Sequence, residues 1–221
     1  MNQREKRQLI WDKMSEYPFP VYGYKKGDVI SKQAGDAGYI YYVVSGSVKI
    51  SLLSFNGMEK ILTFHHQGEL IHEASFFYQS DSIASMIADE DCRLMRLSPF
   101  DYEKISKTYP DIHYFVFNNM ARKIVALTYE IEQLCFFTTR ERLIHILVAL
   151  MKDYGSPCQG GTVRVKKAVT DMELAMQLGV RREIVTKLMS ALRREGVLQK
   201  ENHFIHILKP DRLCKMDTMP L

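Results

Sequence analysis

The chain has 221 residues, 46% hydrophobic and 25% charged, with a formal net charge of +4. That balance excludes a disordered or fibrous chain and fits one large or two modest globular domains with their own cores. No run of about 18 apolar residues is present to span a bilayer, and the opening MNQREKRQLIWDKM is charged and interrupted, unlike an apolar signal core; a cytoplasmic protein without a membrane partner is expected. Cys92, Cys135, Cys158 and Cys214 are too scattered for a disulfide scaffold or a CxxC metal knuckle, so reduced thiols are expected. Charge is unevenly spread. Thr162 to Lys200 holds nine Lys or Arg against four Asp or Glu, which makes the C-terminal part the candidate for a polyanion.

From about Tyr17 to Arg96, short β-branched and aromatic runs alternate with Gly turns, a strand-and-hairpin texture. Asn56-Gly57 reads as a two-residue hairpin loop with positive φ at both positions. After Pro99 the texture turns helical, and the residues beyond Pro110 form a long stretch free of Gly and Pro. In it Phe117, Met120, Ile124, Leu127, Ile131 and Leu134 are separated by 3, 4, 3, 4 and 3 residues, the spacing of a coiled-coil seam. The stripe fits a dimer interface, with an amphipathic helix packed on its own domain as the alternative. Thr138 with Glu141 reads as a capping box that starts a new helix at LIHILVALM, and GSPCQGG reads as a loop leading into a basic strand, VRVKK.

Val169 to Leu208 reads as helix, tight turn, helix and β-wing. Thr170 with Glu173 makes a second capping box, Ala175 permits a close helix crossing, and Gly179 supplies the turn. In the second helix Val185, Leu188, Met189 and Leu192 form an inward stripe. The opposite face presents Arg182, Glu183, Thr186 and Lys187. A helix entering a major groove by its N-terminal end brings such side chains to base edges, where Arg suits guanine N7 and O6 and Glu accepts from cytosine N4. The wing strands VLQKE and FIHIL meet at Asn202-His203, placing Lys200 and His203 toward the phosphate backbone. Single RRE runs, at 181–183 and 193–195, read as ordinary solvated charges; the ordered set of features points to DNA.

At these residues the chain resembles the Crp/Fnr superfamily. The likeness runs from about Gly27 to Ile207 and is carried by KKGDVI at 25–30, YYVVSGSVKI at 41–50, HHQGELIHEASFF at 65–77, MARKI at 120–124 and GVRREIVTKLMSAL at 179–192. It implies an α+β fold: an N-terminal antiparallel, jelly-roll-like β-roll that holds an effector over residues 1–108, a dimerisation helix and hinge over 109–137, and a winged helix-turn-helix over 138–221. It further implies a bacterial transcription regulator, a homodimer that reads a palindromic site in double-stranded DNA, with RNA polymerase as a further partner and effector-driven reorientation about Phe136 to Thr139. DNA contacts fall on Thr170, Arg181, Arg182, Glu183, Thr186, Lys187, Lys200 and His203. Lys187 stands where many relatives carry Arg or Ser, which alters half-site preference because Lys cannot make the two-pronged guanine contact.

The same likeness places an effector pocket at His72, Glu73, Phe76, Ser82, Ile83, Leu127 and Thr128. Cyclic-AMP-binding members carry Gly-Glu before the roll's short helix and Arg-Ser after it; here those positions hold His72-Glu73 and Ser82-Ile83. No Arg lies between Glu73 and Arg93 to neutralise a phosphate, so cyclic AMP is disfavoured. Iron-sulfur sensing needs clustered N-terminal cysteines, and the first here is Cys92. His65, His66 and His72 leave haem or metal sensing open, although adjacent strand residues face opposite ways and only one of His65 and His66 joins His72. A small apolar or weakly polar effector, with Phe76, Phe77, Tyr78, Ile83, Met86, Leu127 and Tyr129 as candidate lining, is the remaining option, and an orphan regulator with a filled pocket another. A ligand-binding signalling or protein-interaction module stays open beside the DNA reader. No nucleophile elbow, P-loop or HExxH is present, so no enzyme, catalytic residue or metal ligand is assigned.

Overall fold

The computed structural model describes residue 17 and residues 19–218; the opening MNQREKRQLIWDKM lies outside the described residues. Contacts divide the chain into two compact units, one running to Leu127, the other from Thr128 onward and including Met58–Lys60. In the first, eight strands form two antiparallel four-stranded sheets. One has the order β1 (Val21–Tyr24), β8 (Cys92–Leu97), β3 (Ile40–Ser45), β6 (Leu70–Ile71); the other has β2 (Val29–Ser31), β7 (Ser85–Ala88), β4 (Ser47–Leu53), β5 (Glu59–His66).

The continuous apolar run of β3 has a structural cause: the strand is covered on both faces. Tyr41 and Val43 pack with Val48, Ile71, Met86 and Leu94 inside the roll, whereas Ile40 and Tyr42 pack with helical residues Ile105, Ile112, Phe115 and Val116. Those residues belong to α2 (Pro99–Thr108) and α3 (Asp111–Phe136). Ser98 caps α2 in a capping box with Asp101, and Pro99 costs nothing at N1, where its missing N–H has no intrahelical partner. A short α1 (Glu73–Tyr78) sits between β6 and β7.

The Asn56-Gly57 expectation is corrected. The loop runs from Ser54 to Met58, the Gly57 N–H donates to Ser54 O at 2.9 Å, and Gly57 alone has positive φ (79°). A two-residue hairpin turn with both φ values positive is found instead in the wing, at Asn202 (46°) and His203 (68°). There the register runs from Leu198↔Ile207 to Glu201↔Phe204 and leaves only two loop residues, a length that selects a primed turn.

The second unit holds α4 (Thr139–Tyr154), α5 (Asp171–Leu178), α6 (Arg182–Arg194) and α7 (Pro210–Met216) with a sheet of order β11 (Leu198–Glu201), β12 (Phe204–Ile207), β10 (Val163–Val165), β9 (Gly155–Pro157). Part of the expected GSPCQGG loop is therefore strand: Gly155, Ser156 and Pro157 pair with β10. Both expected capping boxes are present, Thr138 with Glu141 and Thr170 with Glu173. The core joins Leu143 and Leu147 of α4, Leu174 and Ala175 of α5, Val185 and Leu192 of α6 and Ile205 and Ile207 of β12. Among the described residues no helix is long and apolar enough to cross a membrane.

Candidate functional site

Gly179 closes α5 in the left-handed conformation, and α6 begins three residues later. Burial of Val185, Met189 and Leu192, with Leu188 packed beside them, turns the polar face of α6 outward. Arg181, Arg182, Glu183, Thr186 and Lys187 are all exposed. Arg182 lines a cleft of about 610 Å³ together with Thr170, Asp171, Met172, Arg193, Lys200, Asn202 and His203. The fold thus brings four of the expected contact residues, Thr170, Arg182, Lys200 and His203, around one hollow at the N-terminal ends of two helices and the wing tip.

Three expected contacts are already engaged. Lys200 Nζ donates to Asp171 Oδ1 at 2.7 Å, with its side chain only 11% exposed, and Thr186 Oγ1 donates to Asp171 Oδ2 at 2.8 Å. Lys200 is therefore not the free wing-tip cation that its sequence position suggests. Thr170 likewise spends its hydroxyl on the cap, donating to Glu173 Oε2 at 2.9 Å. Asp171, Arg193 and Asn202 were not legible as site residues; the acidic first turn of α5 was the available signal for Asp171.

In the first unit, a cavity of about 260 Å³ lies between the roll and α3. His72, Glu73, Ser82, Ile83 and Leu127 line it, as does Met86; Phe76, Phe77, Tyr78, Thr128 and Tyr129 do not. Phe76 and Phe77 instead make edge contacts with Tyr102, at centroid distances of 6.0 and 5.1 Å. Tyr78 and Tyr129 are exposed, and Thr128 belongs to the other unit.

The polar chemistry of the cavity centres on Glu73, which is 1% exposed. Lys123 Nζ donates to Glu73 Oε1 at 2.7 Å, to Oε2 at 2.8 Å and to Leu70 O at 2.9 Å. Asn119 Nδ2 donates to Glu73 Oε1 at 2.6 Å and to Leu70 O at 3.1 Å. Neither Lys123 nor Asn119 was singled out in the sequence, although 119, 123 and 127 are successive i, i+4 positions on one helix face. His72 caps α1 at φ 75°, with Nδ1 3.1 Å from Tyr39 O and Nε2 2.9 Å from the Ser82 hydroxyl. Burial, the largest influence, holds the His72 imidazole below its ordinary range, against the opposing pull of Tyr39 O and Glu73. His65 is buried and His66 exposed, as their alternation on β5 requires. Among the described residues no three His, Cys, Asp or Glu are grouped to hold a metal ion.

A double-sheet roll, a long helix and a winged helix-turn-helix define a two-part, DNA-binding class of transcription regulator. Comparison with known proteins agrees: the cyclic nucleotide-binding domain family matches residues 23–109 and the Crp-like helix-turn-helix domain family residues 141–216. The chain belongs to the Crp/Fnr superfamily. It is 29% identical over 177 residues to the cyclic AMP receptor protein of Thermus thermophilus, covering 80% of this chain and 78% of that one. With the CRP-like protein Clp of Xanthomonas oryzae it shares 27% over 173 residues, 73% of this chain and 72% of the other. Among solved structures, the c-di-GMP responsive regulator CLP of Xanthomonas campestris aligns with a TM-score of 0.80 at 20% identity, covering 90% of this chain and 98% of that one. A CooA mutant from Carboxydothermus hydrogenoformans aligns at 0.73 and 20%, covering 95% and 90%.

Proposed function

We propose that the chain is a homodimeric regulator acting in the cytoplasm, in which α6 enters the major groove of a palindromic site. Arg182, Glu183 and Lys187 read base edges there, and an effector other than cyclic AMP, held in the roll cavity, controls binding. The observation that carries the DNA reading is the joint exposure of these three side chains opposite the buried stripe of α6, beside the cleft that holds Arg182, Arg193 and His203. Arg182 can offer two parallel donors to guanine, and Glu183 can accept from cytosine. Two such helices related by a two-fold axis would meet half-sites roughly 34 Å apart.

The proposal against cyclic AMP rests on the site's charges. Where cyclic-AMP-binding members carry Arg-Ser, Ser82 is buried and bonded to Ala84 O at 2.7 Å, and Ile83 is 64% exposed. An effector acts by binding two arrangements of the protein unequally, and the hinge assigned to that change runs from Phe136 to Thr139, where α3 ends and α4 begins. Selection of binding sites from a random duplex pool, followed by gel shift on the selected site, tests the DNA assignment. Replacing Arg182 and Glu183 together with Ala should cost about 2–6 kcal/mol of specific binding and relax the selected sequence; unchanged selectivity would rule out α6 as the reader.

A further inference from the structure

We infer that the roll cavity selects an uncharged, compact, mainly apolar ligand carrying one hydrogen-bond donor, and that the Glu73–Lys123 pair is what rejects anions. This rests on the reading of the cavity as the effector site and gives that effector a chemical class.

The cavity's cation is fully used. All three Lys123 ammonium donors are taken by the two Glu73 oxygens and Leu70 O, and both Asn119 amide hydrogens go to the same acceptors. Among the described lining residues no Arg is present and Lys123 is the sole Lys. An anion entering here would meet only neutral donors, the Ser75 hydroxyl and the first N–H groups of α1, with no unpaired cation, and would face the Glu73 carboxylate, so its charge would lose hydration without a counter-charge. Most of the remaining wall is hydrocarbon and thioether, from Ile50, Leu62, Ile71, Met86, Met120 and Leu127. A volume of about 260 Å³ sits just under the usual range of ligand pockets, about 300–1,000 Å³, and admits only a compact molecule.

A ring nitrogen of the wall is an unpaired acceptor. His65, 6% exposed, has Nδ1 3.0 Å from Glu69 Oε2, a carboxylate oxygen that can only accept. Nδ1 therefore donates, and in that imidazole form Nε2 offers a lone pair; no described residue bonds to it, and His65 lines the cavity. A ligand hydroxyl or N–H would satisfy it.

N-phenylnaphthylamine, uncharged and with one N–H, is a fitting fluorescent probe, and anilinonaphthalenesulfonate is the same ring system with an anionic group. The full-length chain should bind one N-phenylnaphthylamine per protomer, at least about tenfold more tightly than either the sulfonate or cyclic AMP, and about fivefold more tightly than the N-methylated probe. Leu62→Trp, which fills the cavity, should abolish probe binding. Glu73→Gln should raise sulfonate affinity about tenfold by freeing Lys123; should that variant melt early, the wild-type probe ranking decides alone. Sulfonate or cyclic AMP binding as tightly as the neutral probe, with a change in DNA affinity, overturns the charge selection and leaves the effector site standing. Binding of none of these four compounds overturns both.

Discussion

Asp171 ties together three parts of the candidate DNA-binding surface. It occupies the first position of α5, where a carboxylate also complements the helix dipole, and it accepts from Thr186 on α6 and Lys200 on β11. Burial pushes its carboxyl up, but the bonds from Lys200 and Thr186 outweigh that and leave it below the usual carboxylate range. A depressed carboxyl stabilises the fold fully above its unfolded value, near 4, and loses that contribution as pH falls through the lower folded value. Asp171→Asn, which keeps the shape and removes the charge, should cost on the order of 1–2 kcal/mol in urea denaturation at pH 7. The gap between the two proteins should shrink below about pH 4, where the wild-type carboxyl also begins to protonate; a gap that does not change with pH would show that the ion pair contributes nothing. Asp171 shows why single residues of the site were hard to find. Its partners lie 15 and 29 residues away in the chain, and Lys123 lies 50 residues from Glu73, so only the folded chain brings these charges together. Arg182, Glu183 and Lys187 were legible because one helix period sets their common face.

At the scale of elements, legibility followed the range of the interactions. Capping boxes close within four residues, and Thr138 with Glu141 and Thr170 with Glu173 fall where the sequence puts them. The long helix was visible from its lack of Gly and Pro, and it spans Asp111–Phe136. Hairpin loops are different, because strand register decides how many residues remain for the turn. Asn56-Gly57 looked like the tight turn, yet that loop is longer, while the two-residue turn formed at Asn202-His203, which contains no Gly. Asn and His are among the residues that best tolerate positive φ. Gly46, between β3 and β4, is a case where an element's geometry excludes any side chain. At φ 78° an added Cβ would sit 2.4 Å from Asp91 O and 2.6 Å from Cys92 Cβ. Gly57 has nearly the same φ, 79°, with nothing within 4 Å. Gly46→Ala should therefore cost about 2–4 kcal/mol, strain plus overlap, and Gly57→Ala only the strain, about 1–2 kcal/mol. Thermal unfolding of the two variants checks this, and equal losses would mean that the β3–β4 turn relaxes freely.

For the molecule as a whole, the telling feature is apolar surface on α3 left facing water. Phe117 is 70% exposed, Ile124 62%, Ile131 60% and Leu134 51%, and with Met120 and Leu127 between them these residues make the stripe of alternating three- and four-residue spacing that sets a coiled-coil seam. A second copy of the helix, related by a two-fold axis, would bury that stripe, with each Ile contributing about 2 kcal/mol. Ile131→Glu removes two such contributions per dimer and places like charges opposite each other at the seam. Dimer affinity should fall roughly a thousandfold or more, which sedimentation at micromolar concentration would register as a monomer. The same variant tests how oligomeric state serves DNA binding. The logarithm of affinity falls with the logarithm of salt concentration in proportion to the number of phosphates contacted, so a dimer on a full palindrome should show about twice the slope of a monomer on one half-site. Ile131→Glu should therefore bind the full site with about half the wild-type salt slope and lose its preference for two half-sites over one. A variant that stays dimeric, or keeps the full slope as a monomer, would place the two-fold contact somewhere other than α3.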